Sequence, residues 1–347
     1  MNENITGKLS VRTGQDGVYV LKGKANITRR VEMDIKFLSL NPKDITGEIE
    51  ALKKVKMQGY YLLGFEVTIA DLSAFMDLSI DPQHAGQDLK TACIDETLSR
   101  AKAGRLLPGH SKVAVATVRP DLDSVGSMAI AVMALTVRGL NLGDYAPFEW
   151  PSDRVRQISE ADKFSSASEW KPTELFTQGN NAPEIAPVAM LASDWKVPLK
   201  DRVMSVIRWL ERGESPTAYV QQANEARKEI RDAVDSGKTT VSVESGIAIV
   251  HSTLRAAPSI GYSKSPVVIA INEAFTFGDG PAHRKVTICQ YALGYCDLKA
   301  VFAELNESCG GGWGGSPSIG GSPQGLHCDT PVDELKAVVK RHLTRKA

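Results

Sequence analysis

Two kinds of apolar pattern alternate along the chain. Runs with period two, or apolar throughout, predict strands, and longer runs with apolar residues three and four apart predict helices. Residues 8–40 carry short alternating runs split by Gly-Gln-Asp-Gly and Asn-Ile-Thr, which predicts a β-rich segment with tight turns. "NPKDITGEIEALKKVKMQG" has Asn and Asp start signals and a closing Gly59, so a helix is expected there. "YLLGFEVTIADLS" reads as a strand ending at Asp71, and "LSIDPQHAG" as a short apolar run broken at Asp81. "DLKTACIDETLSRAKAG" predicts a helix closed by Gly104, "HSKVAVATVRPDLD" a buried strand, and "SMAIAVMALTVRG" the helix that follows it.

Beyond that point, "DRVRQISEADKF" predicts another helix, whereas "SSASEWKPTELFTQGNNAPEIAP" is polar, rich in Pro and Gly, and reads as a loop or lid. Two long helices, "PLKDRVMSVIRWLERG" and "SPTAYVQQANEARKEIRDAVDSG", lead into one strand, "TTVSVESGIAIVHSTL". Strands "SPVVIAINEAF" and "RKVTICQYA", helix "DLKAVFAELNES", a glycine-rich loop and helix "PVDELKAVVKRHL" complete the chain. The order predicts an α/β protein: a parallel-sheet lobe flanked by helices, a smaller C-terminal mixed α/β lobe, and an N-terminal β-rich segment. The corresponding boundaries are 1–45 for the β-rich segment, 46–235 for the parallel lobe and 236–347 for the last lobe.

Composition narrows the partners. With 347 residues there is material for two lobes and a large core. The 41 basic residues equal the 41 acidic ones, which leaves no net positive field to hold long duplex nucleic acid and favours a small substrate. Five cysteines (Cys93, Cys289, Cys296, Cys309, Cys328) form no CxxC pair, and the start lacks a signal-peptide layout, so a cytoplasmic protein with reduced thiols is expected. No apolar stretch approaches the roughly 20 residues of a membrane helix, so no membrane partner is expected, and a homodimer is left open.

The candidate chemistry lies at strand ends, where ligands of parallel α/β sheets bind. Asp71, Asp81, Asp121 and Asp123 all fall at expected strand ends, and His84 is the histidine nearest to them in sequence. Carboxylates and imidazole suit a hard or borderline divalent ion such as manganese or magnesium, and two such ions can clamp both oxygens of a phosphoester in transfer. An Asp-x-Asp before a helix reads equally as an N-cap, and Asp81-Pro82 as a surface turn. The second constellation is "GGGWGGSPSIGG", whose seven glycines lie between two helices. Glycine lets backbone approach a phosphate, Gly310, Gly311, Gly312, Ser316 and Ser318 offer amides and hydroxyls, and Trp313 offers a plane for a base. A dinucleotide-dependent oxidoreductase would need its glycine motif directly after a strand, and here it follows a helix.

"ATVRPDLDSVGSMA" resembles the first signature of the DHH phosphoesterase superfamily, His-x-x-Pro-Asp-x-Asp-x-x-Gly-Ser, and "CGGGWGGSPSIGG" resembles the Gly-Gly-Gly-His loop of its associated C-terminal domain. "VTIADLS", "SIDPQHAG" and "ISEADKF" are similar to the second, third and fourth signatures, the second and third preceding the first as in a circular permutation. Three positions depart from the family: Thr117 stands in place of the first histidine, Asp81-Pro82-Gln83-His84 replaces Asp-His-His, and Trp313 replaces the loop histidine. The resemblance implies a phosphodiester- or phosphoanhydride-hydrolysing enzyme acting on a small nucleotide, short oligonucleotide or cyclic dinucleotide. It implies two Mn2+ or Mg2+ ions held by Asp71, Asp81, His84, Asp121, Asp123 and Asp162, with Asp121, Asp123 and His84 catalytic. Gly310 to Gly321, Arg119 and Arg284 would hold phosphate. The departures leave open an inactive nucleotide-binding or regulatory protein of the same fold.

Overall fold

A computed structural model describes residues 10–13, 18–22, 28–32, 34–82, 91–106, 112–139, 149–163, 182–278, 280–291 and 293–344. The chain divides into two compact units, Met1–Asp162 with Glu184–Val220, and Lys163–Pro183 with Gln221–Ala347. The first begins with an antiparallel meander of β1 (Ser10–Thr13), β2 (Val18–Lys22) and β3 (Thr28–Glu32). Next come β4 (Asp34–Ser39), α1 (Ile45–Met57), β5 (Tyr61–Phe65), the one-turn α2 (Ala70–Ser73), β6 (Leu78–Ile80), α3 (Cys93–Lys102) and β7 (Lys112–Thr117). The helices α4 (Leu122–Gly139), α5 (Ser152–Lys163), α6 (Ala182–Ser193) and α7 (Leu199–Arg212) follow. Strands β4 to β7 make one parallel sheet in the order β4-β7-β5-β6. Thus β4, read from sequence with the β-rich segment, pairs with β7 from Asp34↔Lys112 to Ser39↔Thr117.

The central strand β7 shows why the sheet is covered on both faces. Val113 and Val115 enter one core with side chains of α3, α4, α5 and α7, whereas Ala114 and Ala116 enter the other with Leu52 of α1 and Leu72 of α2. Strands buried on both faces read as continuous apolar runs, as "VAVA" does. On β5 there is one further constraint: a Cβ on Gly64 would lie 2.7 Å from the Met76 side chain. The stretch read as a loop or lid ends in a helix, because α6 buries Ile185, Val188 and Ala192 against α7, and this burial outweighs the helix-breaking cost of Pro187.

Helix α8 (Thr217–Asp235) contains the divide between the units at Val220. The second unit continues with β8 (Thr240–Glu244), β9 (Ile247–His251), α9 (Ala257–Tyr262), β10 (Val267–Phe275), β11 (His283–Gln290) and α10 (Leu298–Ser308). It ends with β12 (Gly314–Gly315), β13 (Ile319–Gly321) and α11 (Val332–Arg341). Its sheet has the order β12-β13-β11-β10-β9-β8, antiparallel except where α9 crosses over between β9 and β10. Helices α10 and α11 cover one face and α9 the other. The single strand expected over "TTVSVESGIAIVH" is a hairpin, because Ser245 and Gly246 adopt φ of 52° and 78° and reverse the chain in two residues.

Candidate metal centre

Strand β5 stops earlier than its sequence suggests. Val67, Thr68 and Ile69 have strong β preference, yet Glu66, whose amide makes a last bond to β6 at the Ile80 carbonyl (3.0 Å), takes φ of 51° and so turns the chain out of the sheet. Glu66 therefore occupies the strand end, 7 % exposed, and Asp71 lies farther on, exposed in α2.

At the end of β7 the Asp-Leu-Asp pair divides its work. Asp121 is exposed, and its Oδ1 accepts the Ser124 amide at 3.0 Å, while its own amide donates to Ser124 Oγ at 3.0 Å, a reciprocal cap on α4. Asp123, in the first turn of α4, is 2 % exposed. Its two oxygens accept the first amides of α3, from Cys93 at 2.8 Å and from Ile94 at 2.9 Å. Gly126 keeps the three helices close: a Cβ there would lie 2.9 Å from Ile94 Cδ1 and 3.1 Å from Ile158 Cδ1. Ser159 of α5 donates to Asp95 of α3 at 2.6 Å, which sets the height at which α5 delivers Asp162.

Glu66, Asp123 and Asp162 each present a carboxylate oxygen, and the three oxygens lie within 4.8 Å of one another. Asp121 adds a hydrogen bond to Glu66. Burial, then the charges of Asp121, Asp123 and Asp162, push the Glu66 carboxyl up to about 11, and burial with Asp162 pushes Asp123 well above the carboxylate range despite the two α3 amides. Three converging carboxylates are an all-oxygen donor set that suits a hard divalent cation, whose charge would relieve the repulsion that otherwise holds protons on these acids.

The other expected site residues distribute as follows. Asp81 directly follows β6 and is half-buried, and it is not one of the three converging acids; His84 lies outside the described residues. Arg119 is exposed in the turn between β7 and α4. Thr117, at the histidine position of the first signature, is fully buried. In the second unit the side chain of Arg284 is 12 % exposed and its guanidinium is committed locally, donating to the carbonyls of Thr330 (2.9 Å) and Cys328 and pairing with Glu273 at 3.2 Å. Trp313 is 5 % exposed within the core under α10 and α11, its backbone held by the Asn306 amide group, so its ring packs the sheet and offers no open face to a base. Gly310, Gly311 and Gly312 are exposed, and so are Ser316 and Ser318, whose hydroxyls meet at 3.0 Å in the β12–β13 turn. Glu66 is the residue that sequence reasoning missed; its signal was that it is the first charged side chain after the apolar run "YLLGF".

No protein-family model matches the chain, and no curated protein matches it. Among solved structures it is similar to the pGpG-specific phosphodiesterase PggH from Vibrio cholerae, at 9% sequence identity and a TM-score of 0.34, over 76% of this chain and 92% of that one.

Proposed function

We propose that the chain is a metal-dependent phosphoesterase that hydrolyses a phosphodiester or phosphoanhydride bond in a small nucleotide, a short oligonucleotide or a cyclic dinucleotide. The observation that carries this reading is the convergence of Glu66, Asp123 and Asp162 at the carboxyl ends of β5 and β7. Mn2+ or Mg2+ held there, two ions on the DHH resemblance, would supply a water of lowered pKa and neutralise charge on the phosphoryl oxygens. The protein's own part is orientation. The α3 amides fix Asp123, Ser159 and Asp95 fix α5 under Asp162, and the Glu66 turn fixes the third acid. Asp71, Asp81 and His84 would complete the ligand set, with Arg119 binding phosphate; in the second unit, considered by itself, Gly310 to Gly312 are candidates for a phosphate contact of their own.

A second reading, an inactive nucleotide binder of the same fold, is favoured by two features. Both acids of the Asp-x-Asp pair already have structural partners at helix ends, and Thr117 replaces the histidine of the signature. The two readings separate on the metal-stripped full chain, titrated with Mn2+ by calorimetry and assayed on bis(p-nitrophenyl) phosphate and a 5′-phosphorylated dinucleotide. The enzyme reading expects Mn2+ binding and Mn2+-dependent turnover, with Glu66→Gln and Asp123→Asn each lowering kcat/KM by at least about 100-fold, roughly 2.7 kcal/mol of transition-state stabilisation. Thermal stabilisation by the dinucleotide with neither Mn2+ binding nor turnover overturns it in favour of the binder.

A further inference from the structure

The hairpin that ends the second unit's sheet leaves an edge built for pairing. Among the described residues β8 is the outer strand, and its sequence Thr-Val-Ser-Val-Glu holds neither a proline nor a lysine, with a continuous register against β9. Natural edges are usually blunted by such residues or by a bulge. Instead, Val243 is 53% exposed, and Val241 beside it is only half-buried, because α9 spans six residues and covers the inner strands.

The backbone phase of this edge follows from the turn. In a two-residue hairpin the closing pair, Glu244↔Ile247, exchanges both ladder hydrogen bonds, and so do Ser242↔Ile249 and Thr240↔His251. Val241 and Val243 therefore direct their N–H and C=O groups outward. Charge along the edge is polarised, with exposed Lys238 before the strand and Glu244 at its end, the latter 61% exposed even while it pairs with Lys336.

We propose that β8 pairs antiparallel with β8 of a second copy of this chain about a two-fold axis at Ser242, joining two six-stranded sheets into one. In that register Val241 of each copy lies opposite Val243 of the other as a hydrogen-bonded pair, so four valines cluster on one face. Each Glu244 becomes the diagonal neighbour of Lys238 of the other copy, within reach of a long side chain. A parallel arrangement would bring like charges together at both ends, so polarity selects the antiparallel one. An isologous contact of this kind closes at two copies and leaves no growing edge. Five residues of pairing bury less than the roughly 1,600 Å2 of a standard interface, so the dimer forms in a concentration-dependent way.

Sedimentation velocity on the full chain from about 1 to about 100 μM tests this. The expected result is a dimer fraction that rises with concentration, and its loss in Val243→Lys with far-UV circular dichroism and melting temperature unchanged. Ser242 on the axis forms a non-hydrogen-bonded pair with its copy, with Cα atoms about 4.5 Å apart, a separation a disulfide can span. Mild oxidation should therefore link Ser242→Cys into a covalent dimer while the wild type, with its half-exposed Cys309, stays unlinked. A wild type that is monomeric throughout the range overturns the proposal, as does a dimer that survives Val243→Lys with no cross-link through position 242.

Discussion

Glu66 shows how a single residue can turn a strand end into a site. Its carboxyl is protonated in the metal-free fold and pushed up to about 11, against an ordinary value near 4.5. Above the ordinary value the unfolded chain gives up that proton while the folded chain keeps it, so the folded state binds more protons and stability falls as pH rises from about 4.5 toward 11. Glu66→Gln keeps the neutral hydrogen-bonding form without the titration. Its melting temperature in the absence of metal is expected to exceed that of the wild type at pH 8, with the gap closing toward pH 5, as a pH series of thermal melts would read directly. Asp123→Asn should behave in the opposite sense. The amide it introduces faces one of the two α3 N–H groups, leaving a buried donor unpaired at a cost of about 1–3 kcal/mol, so its melting temperature lies below that of the wild type at pH 5, the deficit narrowing as pH rises because the Asp123 carboxyl too is pushed up. Equal shifts in the two variants would refute this division of roles.

Among the elements, the glycine-rich hairpin combines packing glycines with accessible ones. A Cβ on Gly321 would lie 2.1 Å from the Val286 carbonyl oxygen, and one on Gly320 would lie 2.3 Å from the Gly314 oxygen and 2.5 Å from Phe302, so these glycines exist to let β12 and β13 close onto β11 and α10. At Gly311 nothing lies within 4 Å of that position. Gly321→Ala is therefore expected to destabilise the second unit by about 1–3 kcal/mol through overpacking, and Gly311→Ala to leave the melting temperature unchanged, measured by denaturant unfolding. The same segment marks a limit of pattern reading. Seven glycines announced a loop that meets a ligand, but several of them answer to neighbouring backbone, and Trp313 answers to the core. At β8–β9 the misreading had a different source, since alternating Val, Ser and Ile continue across a Ser-Gly turn whose positive φ values alone break the run.

On the scale of the whole molecule, two compact units place the acid cluster in one and the glycine hairpin in the other. A ligand that binds only the native form of one unit raises the stability of that unit by mass action. Saturating Mn2+ is therefore expected to shift one calorimetric transition upward and leave a second in place, and hydrogen exchange should slow at the Glu66 turn and the start of α4 while β10 and β11 stay unchanged. A uniform rise in protection across both units would contradict this. No described helix is long and apolar enough to cross a membrane.

The sequence by itself determined the α/β class, the strand–turn–helix around Asp121 and Asp123, most helix positions, and the presence of acids near strand ends, because these follow from local periodicity, caps and turn residues. Only the tertiary structure decided which acids meet. Strand β5 ends at the positive-φ turn of Glu66, although its own β preference runs four residues farther, so Glu66 joins Asp123 and Asp162 among the converging oxygens. Likewise, whether a tryptophan stacks on a ligand or fills a core depends on what α10 and α11 lay over it, and that is fixed by contacts between residues far apart in the chain.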